Sequence, residues 1–320
     1  TGKEVWNLLM NPTISENRKK QNKIAFRMDH FRKVSGKFLI NLIIYALLIE
    51  LVFVFLYPLI YLVFNSLKYD FELIDASKVW VITRVNVENY SKVFKKMDYF
   101  HALFNTLTVV LVSTVGHVLS CGLAGYGFAR FQFRGKGIMF GIAMLSLIIP
   151  PQVLIMPLYI QYSKLNWMGT FLPILVPCFF GFGLKGGLYI FLFRQFFKTL
   201  PKSYEEAAKI EGCSMPRIFF SIMLPIAKTT ILVVSILSVV WHWNDAFEPD
   251  TYLSNYNRML VQRISGVAQY GVKITTALGN EINLDAMAAC VLAMLPLVII
   301  YFVFQKQFMQ GVENSGLANF

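Results

Sequence analysis

Long apolar stretches dominate this sequence and restrict the folds that it can adopt. A helix rises 1.5 Å per residue, so about 20 consecutive apolar residues cross the hydrocarbon core of a bilayer. Only 15% of the residues are charged, whereas soluble domains have roughly 25%. The chain is therefore predicted to be an all-α, polytopic membrane protein. Its six predicted transmembrane helices lie near residues 38–64, 100–124, 137–162, 171–194, 226–247 and 285–304.

Basic residues predict how these spans are oriented. Lys and Arg are concentrated in the N-terminal tail at 1–37 and in the loops at 125–136 and 195–225, a bias typical of cytoplasmic segments. Both termini, including the tail at 305–320, are therefore predicted to be cytoplasmic, with one transmembrane domain at 38–304 between them. The same bias accounts for the formal charge of +12. No nucleic-acid partner is expected, because the sequence has no nucleic-acid fold motif.

The cytoplasmic loop at 195–225 has the signals of a short helix. Ser203 is followed three residues later by Glu206, the spacing of a capping box in which each side chain satisfies a free backbone N–H group. Glu205 and Glu206 also suit the positive end of the helix dipole. Two alanines follow, and alanine is the strongest helix former. A helix is therefore predicted to begin at Ser203.

The residues after this helix predict a turn and a second helix. Gly212 can adopt the left-handed conformation that ends a helix. Ser214 can then cap the next helix, whose first turn tolerates Pro216. A rigid helix-turn-helix of this kind transmits force to a soluble partner, whereas an ordinary amphipathic connector has no such role. The residues alone leave both interpretations open.

Seven residues of this loop form a pattern with fixed spacing. They are Glu206, Ala207, Ala208, Gly212, Ile222, Leu224 and Pro225. The pattern is similar to the EAA signature of permease subunits in bacterial ATP-binding-cassette importers. The segment at 193–197 and Trp243-Asn244-Asp245 in the fifth span resemble the carbohydrate-uptake, maltose-type branch of that family. The stretch at 246–250 departs from the family pattern because it is more acidic.

The resemblance implies a function and a set of partners. It predicts a non-catalytic permease subunit that forms half of the translocation pathway for a sugar or oligosaccharide, surrounded by lipid in a bacterial cell membrane. The implied partners are a homologous second permease subunit in a heterodimer, two ATP-binding-cassette ATPase subunits, and an extracellular or periplasmic substrate-binding protein. ATP is expected on the partner subunits and no cofactor on this chain, because it lacks a Gly-x-x-x-x-Gly-Lys phosphate-binding motif.

Two other functions are compatible with a polytopic membrane protein. An ion-coupled secondary transporter is expected to have paired carboxylates within its spans, but Glu50 is the only clearly central acid. A membrane-embedded enzyme is expected to have a cluster of reactive side chains, and no catalytic or metal site is predicted. His117 and His242 are assigned to packing rather than to a proton relay. Four cysteines are likewise assigned to packing: Cys121, Cys178, Cys213 and Cys290.

Four residues within the spans are candidates for the translocation path or for substrate contact. Lys185 lies among glycines, which leave room for a cavity. Trp241, Trp243 and Asn244 combine ring planes with an amide, a chemistry that suits sugars. Tryptophan is also common in interfacial belts, so ordinary packing is the alternative for these residues.

Two outer segments are predicted to lie outside the membrane. Val87, Tyr90 and Phe94 recur at helical spacing and predict a short amphipathic helix, which either caps the spans or contacts a partner. By the resemblance, the loop at 248–284 reaches toward the binding protein.

Overall fold

The computed structural model describes residues 40–75, 80–271, 273–275 and 281–314, without the side chains of 307–314. The predicted tail at 1–37 and the residues from 315 onward therefore lie outside the described residues. The chain divides into two units, Thr1–Leu62 and Val63–Phe320. Helix α1 (Ile40–Ser66) begins in the first unit and ends in the second.

Helices make up most of the second unit. They are α2 (Glu88–Lys96), α3 (Tyr99–Arg130), α4 (Lys136–Ile148), α5 (Pro151–Lys164), α6 (Leu172–Cys178), α7 (Gly186–Thr199), α8 (Ser203–Ile210), α9 (Met215–Ile226), α10 (Lys228–Asn244), α11 (Phe247–Tyr252), α12 (Leu260–Tyr270) and α13 (Leu284–Asn314). Helix α9 includes a π-helical segment, Phe219–Met223. A short antiparallel hairpin pairs β1 (Ile274–Thr275) with β2 (Glu281–Ile282).

Among the described residues, three helices are long and apolar enough to cross a membrane: α1, α3 and the first part of α13. Two further spans result if each bent pair counts as one, since α4 and α5 meet at 104° and α9 and α10 meet at 79°. This architecture agrees with the predicted all-α membrane fold, apart from the small hairpin. The number of six spans stays a prediction.

The fourth predicted span, at 171–194, is not a continuous helix. Residues 179–185 separate α6 from α7. Within this break the backbone has positive φ angles at Gly181 (71°), Gly183 (103°) and Lys185 (65°). Glycine adopts positive φ angles without steric cost. The helix is interrupted here because these angles are not helical. Hydropathy alone does not predict the break, because most of its residues are as apolar as the helices around it.

Close packing of α3 against α7 lies at the centre of the second unit. At Gly125 a Cβ atom would lie 2.6 Å from the Cβ of Phe193 and 2.9 Å from the backbone nitrogen of Arg194. Only glycine permits this approach of the two helices. The aromatic side chains around the contact expose at most 1% of their surface; they are Tyr126, Tyr189, Phe193, Phe197 and Phe219.

We expect Gly125→Ala to destabilise the protein, because the added methyl group must displace the backbone of α7. Overpacking of this kind typically costs about 1–3 kcal/mol in the free energy of unfolding. Gly127→Ala is the matched control, since its Cβ atom would lie 3.9 Å from the nearest described atom, in Phe131. Thermal unfolding of the purified protein in detergent checks the prediction, and equal unfolding temperatures for the two variants would contradict it.

The amphipathic helix predicted from the spacing of Val87, Tyr90 and Phe94 is present as α2. Its residue Val93 is fully buried. Lys92 and Lys96 place their Nζ atoms 3.0 and 3.2 Å from the carboxylate of Asp285, at the start of α13. These contacts favour the interpretation of α2 as a cap on the ends of the spans.

A buried carboxylate holds the loop before α2. Glu72 is 1% exposed, and its side chain accepts hydrogen bonds from the backbone N–H groups of Tyr69, Thr83 and Arg84 at 3.3, 2.8 and 3.3 Å. Burial by itself would raise the pKa of Glu72, but these hydrogen bonds favour the charged form and lower the pKa below its ordinary value. The loop is therefore organised around a charged group.

Candidate functional site

The loop at 195–225 folds into two helices, but its first helix is not capped as predicted. Helix α8 begins at Ser203, with Lys202 as its N-cap and without a side-chain hydrogen bond to the cap. The carbonyl oxygen of Lys202 accepts hydrogen bonds from the N–H groups of Glu205 and Glu206, at 3.0 and 3.1 Å. The predicted start at Ser203 is confirmed. The predicted capping box is wrong, because Ser203 already lies inside the helix.

The turn after α8 has the predicted conformation. Gly212 has a φ angle of 75°. Ser214 takes the N-cap position of α9 with an extended backbone, but its side chain makes no cap hydrogen bond, so only its position was predicted correctly. The N–H group of Cys213 donates to the carbonyl oxygen of Ala208 at 3.0 Å. The two helices are therefore joined by a hydrogen-bonded turn rather than by a loose connection.

A buried ion pair anchors α8 to the end of α3. The Nε atom of Arg130 lies 2.8 Å from Oε1 of Glu205, and the two side chains are 7% and 10% exposed. The Arg130 guanidinium also donates to the carbonyl oxygen of Leu200 at 2.8 Å. Because arginine presents its donors in a rigid fork, one side chain fixes both the first turn of α8 and the chain that leads into it.

The opposite side of α8 is exposed. Ile210 exposes 86% of its surface and Tyr204 exposes 47%, with Glu206 and Ala207 exposed between them. We call these four residues the α8 face. This face carries two exposed apolar side chains beside a charge on an anchored helix, and it is free for contact with another protein.

Two neighbouring cavities lie at the break between α6 and α7. The first, of about 280 Å³, is lined by that break, by the bend between α4 and α5, and by Glu248 and Tyr252. The second, of about 300 Å³, shares Lys185 and Glu248 with the first and also contacts Trp241, Asn244 and Asp245. We call them the paired cavities.

Lys185 and Trp241 are in direct contact in the second cavity. The Nζ atom lies 4.4 Å from the centroid of the indole, within the range of a cation–π interaction. Trp243 does not join them, because it is 3% exposed and packs in the core with Val110 and Leu292. Residues two positions apart on a helix point in nearly opposite directions, so one tryptophan faces the cavity and the other faces the core.

Comparison with known proteins identifies the family. The family described as "binding-protein-dependent transport system inner membrane component" matches residues 118–314, more than half of the chain. The chain belongs to this family. The permease is therefore a non-catalytic membrane component of a binding-protein-dependent importer, which works with a substrate-binding protein and an ATPase. The ion-coupled transporter and the membrane enzyme are correspondingly disfavoured.

Several individual relatives are similar along most of their length. The arabinooligosaccharides transport system permease protein of Halalkalibacterium halodurans is 27% identical, over 83% of this chain and 92% of its own. The sn-glycerol-3-phosphate permease of Pectobacterium atrosepticum is 30% identical (67% and 72% covered), and the lactose permease protein of Rhizobium radiobacter is 26% identical (86% and 96% covered). The solved structure of a bacterial ABC transporter that imports the acidic polysaccharide alginate matches with a TM-score of 0.70 at 20% identity, covering 84% of this chain and 96% of that chain. This match confirms the fold.

The loop residues of the EAA pattern fall into two groups, one exposed and one buried or half-buried. The exposed group consists of Glu206, Ala207, Gly212 and Pro225. Ala208 is buried, and Ile222 and Leu224 are half-buried against the aromatic core. The pattern therefore combines residues that are free to contact a partner with residues that hold the loop on the bundle.

The structure also adds two acidic residues to the site that the sequence did not predict as part of it. Three of the four path candidates, Lys185, Trp241 and Asn244, line one cavity, together with Asp245 and Glu248. In the sequence, Asp245 belongs to the Trp243-Asn244-Asp245 pattern and Glu248 to the acidic stretch at 246–250, and neither is predicted to line a path. Their position directly after a span that contains Trp241 and Asn244 was the available signal.

Arg130 is a further functional residue that the sequence did not identify. Its charge indicated only the orientation of the spans. No local signal connects it to Glu205, because the two residues are far apart in the sequence and meet only through the packing of α3 beside α8.

We expect Glu205→Gln to destabilise the permease and to loosen α8, because it leaves the Arg130 charge buried without its partner. Breaking a buried pair typically costs about 3–5 kcal/mol in the free energy of unfolding. The matched control is Glu206→Gln, the same change at the neighbouring exposed position, for which an effect within about 0.5 kcal/mol is expected. Thermal unfolding and limited proteolysis of the loop measure both effects. If the two variants behave alike, the ion pair does not anchor α8.

Proposed function

We propose that this permease is one of two homologous subunits that together form the pathway for a neutral sugar or oligosaccharide across a bacterial cell membrane. An extracellular binding protein delivers the substrate, two ATPase subunits bind the ATP, and both termini of the chain are cytoplasmic. The observation that carries the proposal is the α8 face, which is exposed on one side and anchored by the Arg130–Glu205 ion pair on the other.

The contacts of α8 support its role as the point at which force from the ATPase enters the permease. A push on α8 acts through Glu205 on Arg130, at the end of α3. Helix α3 packs without space against α7 at Gly125. Lys185, the residue immediately before α7, lines both of the paired cavities. Closely packed interiors transmit such displacements with little loss, so movement of α8 reaches the cavities.

The chemistry of the second cavity supports a neutral sugar as the substrate. Trp241 offers a ring face on which a sugar can stack, and the side chains of Asn244, Asp245 and Glu248 line the same space. Carboxylates are acceptors for hydroxyl groups. Asp245 and Glu248 line this cavity together with a single lysine, so its lining has no excess of positive charge that would favour a phosphate or carboxylate ligand. The relatives named for arabinooligosaccharides and for lactose are therefore the better guides to the substrate than the sn-glycerol-3-phosphate permease.

Reconstitution tests this function directly. The permease, its partner permease and their ATPase are placed in proteoliposomes with ATP inside, and uptake is measured for the sugar that raises the unfolding temperature of the adjacent binding protein. We expect uptake to require both ATP and the binding protein and to persist with a protonophore. Uptake that a protonophore abolishes while ATP is present would refute the importer. Stronger uptake of sn-glycerol-3-phosphate would refute only the substrate class.

A further inference from the structure

Three potential metal ligands from three helices meet in the interior of the bundle. They are His117 on α3, Cys178 at the end of α6 and His242 on α10, and each is at most 2% exposed. Their ligand atoms all lie within 4.8 Å of one another. The Sγ atom of Cys178 is 3.9 Å from Nε2 of His242, and the two imidazole rings have their centroids 5.4 Å apart. Distant parts of the sequence thus place two imidazoles and a thiol around one point.

His242 is held in the orientation of a metal ligand. Its Nδ1 atom lies 2.9 Å from the carbonyl oxygen of Ser238, and a carbonyl oxygen can only accept, so Nδ1 carries the hydrogen. The lone pair is therefore on Nε2, the nitrogen that faces Cys178. Metal-binding histidines are typically fixed in this way, with the second ring nitrogen donating to a carbonyl or carboxylate.

His117 is not explained by packing alone. It is 0% exposed, and within the described part of the chain neither of its ring nitrogens has a hydrogen-bond partner. Its ring contacts the rings of Tyr189 and His242 at centroid distances of 4.9 and 5.4 Å. Buried polar groups are nearly always satisfied, so an imidazole in this position indicates a ligand that its nitrogens would bind. Packing with a hydrogen bond accounts for His242 but leaves His117 unexplained.

We propose that His117, Cys178 and His242 bind a Zn²⁺ ion. One thiolate and two imidazoles are a donor set that Zn²⁺ prefers, with Zn–S near 2.3 Å and Zn–N about 2.0–2.1 Å. On binding, the Cys178 thiol releases its proton to solvent, forms the S–Zn bond and gives up its 3.1 Å hydrogen bond to the carbonyl oxygen of Ile174. The three ligand atoms then draw together to roughly 3.5 Å from one another, the spacing that these bond lengths set around a tetrahedral ion, and a water molecule fills the fourth position.

The position of the cluster gives the ion a structural role beside the paired cavities. At Gly183, within the break between α6 and α7, a Cβ atom would lie 3.2 Å from the Cys178 sulfur and 3.5 Å from Cε1 of His117. Gly183 also lines the first cavity. A bound ion therefore ties α3, α6 and α10 together directly behind the break.

Cobalt substitution tests the site without any measurement of transport. The purified full-length permease is stripped with a chelator and titrated with Co²⁺, which reports thiolate coordination by a charge-transfer absorption band, and Zn²⁺ is then added in competition. We expect about one ion per chain, as for a single tetrahedral site, and a thiolate band that Zn²⁺ abolishes. Cys178→Ser should remove the band and weaken binding by more than the 10- to 100-fold typical of losing a second-shell partner. Cys290→Ser, the same change at a half-buried cysteine on α13, should change neither.

Unfolding temperatures separate loss of the site from loss of the fold. Zn²⁺ should raise the unfolding temperature of the wild type and of Cys290→Ser, because it binds the native state, but not that of Cys178→Ser. If Cys178→Ser does not fold, His117→Gln decides, and unchanged Co²⁺ affinity in that variant refutes the proposal. The absence of a thiolate band in the wild type, or its persistence in folded Cys178→Ser, refutes it equally.

Discussion

Replacing Glu206 with arginine is expected to abolish ATP-driven uptake while the permease remains folded. Glu206 is exposed on the α8 face, in the first turn of the helix, where its negative charge complements the positive end of the helix dipole. If the α8 face docks on the ATPase as proposed, an arginine there reverses the charge at the contact, and a charge mismatch in an interface costs several kcal/mol. We expect the ATPase to be lost on co-purification and ATP hydrolysis to become insensitive to the binding protein.

Glu88→Arg is the matched control for this experiment. It makes the same change of charge at an exposed, first-turn position of α2, in the loop predicted to lie on the opposite side of the membrane. Both variants should unfold within a few degrees of the wild type, because an unfavourable helix-dipole contact at an exposed site costs only about 0.3–1 kcal/mol. Retention of the ATPase and of uptake by Glu206→Arg would show that the α8 face is not the docking site.

Local signals in the sequence predicted the parts of this site that local interactions determine. The helix at Ser203 and the turn at Gly212 depend on neighbouring residues, so their propensities were sufficient. The long apolar stretches likewise predicted α1, α3 and α13, because crossing a bilayer is a matter of length and composition. The prediction of a capping box was wrong by one residue, because Lys202 rather than Ser203 takes the N-cap position.

Contacts between distant residues could not be predicted in the same way. Arg130 meets Glu205, and His117 meets Cys178 and His242, only because helices that are far apart in the sequence pack side by side. The spacing of apolar residues shows which face of a helix is buried, but it does not show which other helix packs against that face. The histidines were accordingly assigned to packing, and the third member of the cluster, Cys178, was not connected with them.

The break at 179–185 was missed for a different reason. Its residues are mostly apolar, and hydropathy treats an apolar helix and an apolar loop alike. The helix ends because Gly181 and Gly183 take positive φ angles, and irregular backbone at this depth is tolerated where it lines a cavity. Glycines near Lys185 did indicate a cavity, and the structure places one there.

The second large effect is expected from Trp241→Ala, which should strongly reduce uptake while binding-protein-stimulated ATP hydrolysis continues. Trp241 lines the second cavity beside Lys185, and its indole is a large aromatic surface on which a sugar would stack. Removing such a surface typically costs about 1.5–3 kcal/mol, which corresponds to roughly a 10- to 150-fold loss of affinity. Uptake at a series of sugar concentrations should therefore show a raised KM.

A conservative variant separates stacking from mere space. Trp241→Phe keeps a ring face and should retain most of the uptake. Trp241→Leu fills part of the same space with an apolar side chain but has no ring, so its uptake should be as low as that of Trp241→Ala. Because Trp241 is exposed to the cavity, with 43% of its surface accessible, none of the three variants should lower the unfolding temperature appreciably. If Trp241→Leu transports as well as Trp241→Phe, the cavity does not recognise a sugar by stacking, and the argument for a neutral sugar then depends on Asp245 and Glu248 alone.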